Sequence, residues 1–498
     1  MADGSSESNG LGSLRSVADG ATLHTAGTIL VNVLGFVLNL VLTRTLGASI
    51  YGIYAYGTMV IAALLTFANV GTDVSLTRYL AANHEDPAYQ SRMLGLAYAT
   101  TFICSIAIAL VLFAAAPTIN AYTLDQPLFT PALQVFAIAL PFQAGTHLAS
   151  STVRGLELPV EKTVILVAGP KLQLIAIAGA VAVGYSVLGV AAAYVLACLM
   201  AFLFAAAYSM RRTGLRPTPR FRRDEVTDFY NYSGPLTVSK ASSFLFKRID
   251  IFMIGIFLAA ADVGIYNIAV LLAGVIAMPL AGVNQLFPPV ASRLYSNDEV
   301  ESLESVYSTV TRWSISASLL IALPLFVYRV EILSLFGPEF VAGATVVTLF
   351  VAGQLFNAAA GPSNDLLTMT DHQYAVMANH FTFGCVNVTL NYVLIQWYGL
   401  VGAALATAGV LAALNVVRVL EVWYFEGMFA YSIDIWKPVA AAAVAALAMV
   451  MIGSGLEGFP LVVTGSVIGC SLFLCALYLF GIDDRDKELA NEYVDLVS

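Results

Sequence analysis

The chain has 498 residues, of which 59% are hydrophobic and only 11% are charged. One water-soluble core cannot enclose so much apolar surface, so the composition excludes a soluble protein and predicts a polytopic membrane protein. The net charge of −9 argues against nucleic acid as a partner. The five cysteines lie in apolar segments without a CxxC pair, and neither a metal site nor a cofactor is expected.

The N-terminal segment, residues 1–22, is polar and rich in Gly and Ser. It lacks the layout of a signal peptide and is predicted to form a disordered cytoplasmic tail. Beyond it, the apolar runs long enough to cross about 30 Å of hydrocarbon number roughly fourteen. The sequence therefore predicts an all-α fold of about 14 transmembrane helices, and this even number would place both termini on one side of the membrane.

Lysine and arginine residues accumulate in alternate loops. One set of loops includes Arg154 and Lys162 and, above all, the segment RRTGLRPTPRFRRDE at 211–225, whereas the other set holds little beyond Arg44 and Arg329. Because positive charge marks the cytoplasmic side, these loops and both termini are predicted to be cytoplasmic. The protein is expected to be a multi-pass protein of the cell membrane.

An internal repeat divides the chain. LGASIYGIY at 46–54 aligns with LAAADVGIY at 258–266, an offset of 212, and GYSVLGVAAA at 184–193 aligns with WYGLVGAALA at 397–406, an offset of 213. Two matches far apart at nearly one offset indicate two similarly oriented six-helix lobes followed by two C-terminal helices. In such folds the substrate cavity lies between the two lobes.

The predicted organisation follows from the repeat and the loops. It comprises a disordered tail (1–22), a first lobe (23–210), a basic cytoplasmic linker (211–228), a second lobe (229–425), two extra transmembrane helices (426–481) and a cytoplasmic tail (482–498).

An apolar span from Lys240 to Tyr266 carries unusual charges. Lys240, Lys247 and Asp250 lie along one face of a helix, and Arg248 is turned by about 100°. Ionisable groups inside a membrane cost several kcal/mol unless they face protein or water, so they mark a candidate path or binding site. The alternative is that Lys247 and Asp250 only neutralise each other.

Four segments resemble a known family: TRTLGASIYGIY at 43–54, KRIDIFMIGIFLAAADVGIYNIA at 247–269, SLFGPEF at 334–340 and LNYVLIQWYGLVGAALATAGVLAALN at 390–415. They are similar to the polysaccharide-biosynthesis flippases of the multidrug/oligosaccharidyl-lipid/polysaccharide exporter superfamily. The resemblance implies a fourteen-helix, two-lobe transporter that turns isoprenoid-linked oligosaccharides from the cytoplasmic to the outer leaflet. Four glycines are expected to permit tight connections and close helix contacts: Gly47, Gly52, Gly264 and Gly402.

Cations inside the spans indicate the chemistry of the substrate. A cavity lined by cations suits an anionic phosphate or pyrophosphate, so the candidate substrate-binding residues are Lys171, Lys240, Lys247 and Arg248. Lys171 and Lys240 have the alternative of snorkelling to the membrane surface. Expected partners are a lipid-linked oligosaccharide, membrane lipid and glycosyltransferases.

Two acids are candidate ion-coupling groups, Asp250 and Asp365, because a carboxylate in an apolar span can hold a proton or Na⁺. Arg418 and Glu421 are interpreted as a structural ion pair. His147 and His380 are interpreted as satisfied core groups.

Two other functions fit the sequence less well. A multidrug exporter of the same superfamily would be favoured by an acid in the first span, which has none. A membrane-embedded polysaccharide polymerase or ligase would need a large outer loop, and the sequence shows neither that loop nor a catalytic or ATP-binding motif. No enzymatic activity is expected, and transport is predicted to be downhill or ion-coupled.

Overall fold

The structure is a computed structural model that describes residues 4–184, 186–431, 433–453, 455 and 457–480. The side chains of 4–25, 235, 238–247 and 433 lie outside that description. Across the described part of the chain, every regular element is a helix. The chain forms two compact units, Met1–Gly264 and Ile265–Ser498.

Eight helices belong wholly to the first unit. They are α1 (Gly4–Ala68), α2 (Thr72–Ala82), α3 (Pro87–Ala121), α4 (Phe129–Ala137), α5 (Leu140–Gly155), α6 (Pro159–Ala182), α7 (Val187–Thr213) and α8 (Arg223–Phe257).

A ninth helix, α9 (Ala260–Ile276), carries the chain from the first unit into the second. The helices after it are α10 (Met278–Ser296), α11 (Val300–Val327), α12 (Arg329–Phe336), α13 (Ala344–Ala360), α14 (Ser363–Met369), α15 (Gln373–Glu426), α16 (Trp436–Gly453) and α17 (Gly458–Leu479). Short 3₁₀ turns occupy Pro338–Gly343 and Ile433–Ile435.

The helix α1 folds back on itself at Gly47, where φ is 71° and ψ is 173°. The Tyr51 hydroxyl hydrogen bonds to the Asn39 side-chain carbonyl at 2.6 Å. On a straight helix these residues would be about 18 Å apart along the axis, so the bond requires the chain to reverse between them. A left-handed φ is cheap only for glycine, which explains the break at this residue.

The helix α15 reverses in the same way at Gly399, where φ is 56° and ψ is −132°. The Asn391 amide donates to the Thr407 hydroxyl at 3.4 Å, although a straight helix would separate the two residues by about 24 Å along the axis. The two arms approach so closely that a β-carbon on Gly402 would collide with the Leu394 carbonyl. Both α1 and α15 are therefore helical hairpins.

Among the described residues, ten helical segments are long and apolar enough to cross a membrane. The bent pair α9 and α10 makes an eleventh if it is one span. The predicted fold class, an all-α polytopic membrane protein, is confirmed. The predicted total of fourteen spans stays a prediction.

Two features differ from the organisation predicted above. Residues 4–22, predicted as a disordered tail, are helical as the start of α1. No proline precedes Gly47, so nothing blocks the helix from propagating outward from the apolar span. The C-terminal tail at 482–498 lies outside the described residues.

The second difference concerns α8. Its residues 223–228 belong to the predicted linker and its remaining residues to the predicted second lobe, whereas the whole helix lies in the first compact unit. The Arg92 guanidinium donates through Nε and Nη2 to both oxygens of the Glu225 carboxylate, and the shortest of these contacts is 2.8 Å. The Tyr79 hydroxyl donates to the Asp228 carbonyl at 3.1 Å. These contacts join segments more than 130 residues apart, so local sequence patterns could not reveal them. The predicted lobe boundaries follow from the repeat and stay a prediction.

Candidate functional site

The helix α8 carries the charges singled out in the sequence. Its backbone is helical through Lys240, Lys247, Arg248 and Asp250, but the side chains of the two lysines lie outside the described residues. Arg248 is half-buried. Asp250 is buried, with 5% of its surface exposed, and its carboxylate accepts the Ile251 N–H at 2.8 Å. The roles predicted for Lys247 stay predictions.

The hairpin α1 packs against this part of α8. The ring of Tyr56 packs edge-on against Phe252, with centroids 6.1 Å apart. A β-carbon on Gly255 would collide with the Tyr56 ring, so α8 can approach α1 only because residue 255 is glycine. Since Phe252 and Gly255 lie within about one and a half turns of Asp250, these contacts set where Arg248 and Asp250 lie.

The other two predicted residues lie elsewhere. Lys171 is exposed on α6 in the first unit. Asp365 lies in the first turn of α14 in the second unit, where it is half-buried and receives a hydrogen bond from Asn364 at 3.3 Å. The two residues therefore belong to different units.

A polar cluster surrounds Arg418, which is 8% exposed on α15. Its guanidinium contacts the Asn415 side chain and the His380 ring, both at 3.4 Å. Glu421, its expected ion partner, instead accepts a hydrogen bond from Asn379 at 2.5 Å. Arg418 also interacts electrostatically with Glu421 and Asp365. Arg418 and Glu421 therefore do not form a simple ion pair. They belong to a polar network that also includes the side chains of Asn379, His380 and Asn415.

A cavity of about 400 Å³ opens in the first unit. One wall of it is a polar stripe on α5, whose side chains recur every three or four residues and so share one helix face. The stripe runs for about 16 Å along the helix axis. Its members are Gln143, Thr146, His147, Ser150, Ser151 and Arg154.

The opposite wall comes from α6 and α7 and is tied to the polar stripe by hydrogen bonds. The Gln143 amide donates to the Tyr194 hydroxyl and, at 3.5 Å, to the Cys198 thiol. Gln173 on α6 contacts the same thiol at 3.9 Å. Tyr194 is packed edge-on by Tyr54 at 6.1 Å. These contacts hold the inner end of the cavity in one arrangement.

Arg154 lies at the other end of the stripe, in the last turn of α5. Its Nε and Nη2 atoms donate to the Thr77 hydroxyl at 3.3 and 3.1 Å. Nη2 also contacts the Ser151 hydroxyl at 3.3 Å. A β-carbon on Gly155 would lie 2.9 Å from the Thr77 carbonyl, so α2 and α5 pack closely here. The guanidinium is thus oriented by its neighbours.

Sequence reasoning missed this cavity. From the sequence alone, His147 is interpreted as a satisfied core group and Arg154 as a charge in a cytoplasmic loop. Neither interpretation indicates that the two residues share a cavity. The available signal was the helical spacing of polar side chains in PFQAGTHLASSTVRG. That spacing predicts one polar face on a membrane helix, which must face protein or water.

Comparison with known proteins gives the family. The sequence profile described as "Polysaccharide biosynthesis protein" matches residues 17–294, which is more than half of the chain. That range includes both the cavity and the charges of α8. A second profile, MatE, matches residues 235–393.

A curated relative is the probable low-salt glycan biosynthesis flippase Agl15 of Haloferax volcanii. The two sequences are 30% identical over 238 residues, which are 46% of this chain and 48% of Agl15. The match therefore spans less than half of either protein.

Two solved structures show the same fold. The lipid II flippase MurJ, in an inward closed conformation, has a TM-score of 0.72 and 13% identity and covers 96% of this chain and 100% of its own. A multidrug resistance MATE family transporter of the MOP superfamily, in an inward-facing conformation, has a TM-score of 0.67 and 15% identity. The match covers 82% of this chain and 94% of that transporter. At such identities the likeness concerns the fold alone.

Proposed function

This chain belongs to the polysaccharide biosynthesis protein family, and from that premise we propose that it is a flippase for isoprenoid-linked oligosaccharides. It would turn them from the cytoplasmic to the outer leaflet for the synthesis of surface polysaccharide or glycoprotein. The observation that carries the proposal is the family match over residues 17–294. The flippase named in Agl15 and the fold of the MurJ flippase support it.

The substrate headgroup is a phosphate or pyrophosphate in this proposal. Lys171, Lys240, Lys247 and Arg248 are its candidate ligands, and Arg248 is the one whose half-buried side chain the structure describes. A cation deep in a membrane helix is costly unless water or an anion offsets its charge. An anionic headgroup would offset it at the moment of binding, and a guanidinium can hold two phosphate oxygens at once.

The energy for transport comes from the membrane potential in this proposal. Moving one negative charge outward across an inside-negative membrane gains about 2.3 kcal/mol per 100 mV. Asp250 and Asp365 provide the alternative of ion coupling, since Asp250 is buried and Asp365 half-buried, and such a carboxylate inside a membrane protein can hold a proton or Na⁺.

The proposal also includes the topology of the chain. Both termini and the 211–225 linker are cytoplasmic, as the Lys and Arg distribution indicates.

Transport proceeds by alternating access in the cell membrane. Glycosyltransferases that build the glycan on the cytoplasmic face are the expected partners.

A multidrug exporter is the second candidate, favoured by the MatE match at 235–393 and by the MATE fold. A carboxylate in the first span would bind a cationic drug or its coupling ion, and the described part of that span from Ala26 to Gly47 has none. A polymerase or ligase finds no support among the similar proteins, because those with stated functions are flippases or transporters.

Deletion of the gene in its host separates these functions. The flippase proposal predicts loss of surface glycan and accumulation of the lipid-linked oligosaccharide, with drug susceptibility unchanged. Normal surface glycan together with increased drug susceptibility would establish the exporter instead. Complementation with the wild-type chain is the control.

A further inference from the structure

We propose that the cavity of the first unit binds a sugar residue of the transported glycan, separately from the cations that are proposed to hold the phosphate. The cavity measures about 400 Å³, within the range of small-molecule sites in proteins, which is about 300–1,000 Å³. This inference rests on the proposed function, because the sugar reaches the cavity only as part of a lipid-linked substrate.

The charges on the lining favour a neutral ligand. Arg154 contributes one positive charge and Asp73 on α2 contributes one negative charge. A phosphate in this cavity would meet a carboxylate as well as the guanidinium, which costs binding energy through like-charge repulsion. A sugar has no such conflict, because its hydroxyl groups accept from the guanidinium and donate to the carboxylate.

Three polar atoms on the lining keep capacity for a ligand. Among the described residues, the Ser150 hydroxyl and the Arg154 Nη1 atom make no hydrogen bond to protein. The Gln173 amide makes only a long contact to sulfur, at 3.9 Å, through its nitrogen, so its oxygen is available. Together they offer donors and acceptors, and a sugar ring carries both on neighbouring hydroxyls.

The cavity also has an apolar side. Val31 from α1 and Ile165, Leu166 and Pro170 from α6 line it. One face of a pyranose ring is made of C–H groups, which pack on such a surface. A cavity with polar groups on one side and aliphatic groups on the other therefore fits a sugar better than it fits a bare ion.

The inner polar groups are held in place before any ligand arrives. Gln143 bridges to Tyr194, and Tyr194 packs edge-on against Phe136 at 5.4 Å and against Tyr54. Arg154 is oriented by Thr77. Binding would therefore order few side chains, which reduces its entropic cost.

The position of Arg154 gives the cavity its side of the membrane. The sequence predicts that the loop following Arg154 is cytoplasmic, and the polar stripe runs inward from this end of α5. The glycan is assembled on that side in the proposed function. The cavity would thus receive the sugar before translocation and select substrates that carry it.

The test measures binding of two lipids to the full-length protein in nanodiscs. The first is the lipid-linked oligosaccharide purified from the host, and the second is the isoprenyl phosphate left after its glycan has been hydrolysed. We expect the wild-type protein to bind the glycosylated lipid at least tenfold more tightly. Gln173→Leu removes the amide at similar volume, and Ser150→Phe fills the cavity.

Both variants should lose this preference while their affinity for the bare carrier stays within twofold of the wild type. Ile175→Leu is the matched control on the same helix, because Ile175 is 61% exposed and does not line the cavity. Thermal unfolding reports whether each variant is folded, and Gln173→Leu serves alone if Ser150→Phe is not.

Three results would overturn the inference while leaving the flippase proposal intact. They are equal binding of the two lipids by the wild type, an unchanged preference in Gln173→Leu, or a parallel loss of both affinities in that variant. A fourth result would also overturn it: inorganic pyrophosphate displaces the glycosylated lipid from the wild type but not from Arg154→Gln, which would make the cavity an anion site. Failure of the wild type to bind either lipid would overturn the proposed function as well.

Discussion

Gly52 on α1 and Gly264 on α9 lie against each other with no room for a side chain on either. A β-carbon on Gly52 would collide with the Ala260 carbonyl, and one on Gly264 would lie 2.5 Å from the Ala48 carbonyl. Ala48 and Gly52 correspond to Ala260 and Gly264 at the repeat offset of 212. The contact is therefore reciprocal, and each copy of the repeat motif packs on its counterpart.

Alanine at Gly52 should disrupt this contact. The added methyl group would meet a backbone carbonyl, which cannot move aside as a flexible side chain can, and overpacking of this kind costs about 1–3 kcal/mol. We expect Gly52→Ala to lower the thermal unfolding temperature of the purified protein and the yield of folded protein. Gly264→Ala should behave alike.

Gly35→Ala is the matched control on the same hairpin, because no atom lies within 4 Å of a β-carbon there. It should be neutral or slightly stabilising, since alanine is the better helix former by about 1 kcal/mol. Equal unfolding temperatures for Gly35→Ala and Gly52→Ala would show that the close contact does not contribute to stability.

The hairpin of α15 depends on the left-handed backbone of Gly399, where φ is 56°. A β-carbon there has open space, so any effect of substitution comes from backbone strain. Gly399→Val should destabilise the protein by about 1–2 kcal/mol or more, because a β-branched residue rarely adopts this conformation. Gly399→Asn should cost less, because asparagine is less unfavourable at positive φ than a β-branched residue is.

Thermal unfolding of the two Gly399 variants checks this order. Gly409→Ala on the same helix has open space and an ordinary helical backbone, so it should leave the unfolding temperature unchanged. A Gly399→Val protein as stable as Gly399→Asn would mean that the reversal does not require the left-handed conformation.

The charges of α8 give a prediction about transport. Lys247→Ala and Arg248→Ala should abolish surface glycan while the protein accumulates normally, because the phosphate loses its ligands. A structural role predicts another pattern: Lys247→Ala would leave Asp250 buried without that partner, and the double change Lys247→Ala with Asp250→Ala would restore both abundance and activity.

Immunoblotting of membranes and staining of surface glycan distinguish the two patterns. Arg248→Lys is the conservative control, since it keeps the charge and loses the two-pronged geometry. It should retain part of the activity. Rescue by the double variant would remove Lys247 from the substrate site and leave Arg248 as the candidate on α8 whose side chain the structure describes.

The structural roles of four glycines could be predicted from the sequence, whereas the side-chain packing around them could not. Gly47, Gly52, Gly264 and Gly402 were expected at tight connections and close contacts, and all four are found there. Glycine is informative from sequence because its backbone freedom and lack of a side chain have few other uses inside a membrane helix. The resemblance to the family rests on the same residues, because several of its motifs are tight connections that contain these glycines.

The cavity and the packing of α8 could not be predicted in the same way. The bond between Arg92 and Glu225 joins residues 133 positions apart, and both residues look like ordinary surface charges in the sequence. The residues of the polar stripe are individually common in membrane helices, where bonding between helices is their usual role. Only the arrangement of α5, α6 and α7 shows that these side chains surround a cavity.

The topology yields a prediction that needs no substrate. Reporter fusions placed in the 211–225 linker and after Ser498 should both report the cytoplasm, as the Lys and Arg distribution requires. A fusion in the segment 117–127 should report the outside and is the internal control. An external report from the linker or the C-terminus would require a different number of spans.

The most direct measurement is the movement of lipid-linked oligosaccharide across reconstituted vesicles. A lectin added outside detects glycan that reaches the outer leaflet, and a potassium gradient with valinomycin sets the potential. The account predicts protein-dependent flipping that accelerates when the interior is made negative and is lost in Arg248→Ala. Vesicles with wild-type protein that expose no more glycan than protein-free vesicles, at any potential, would contradict it.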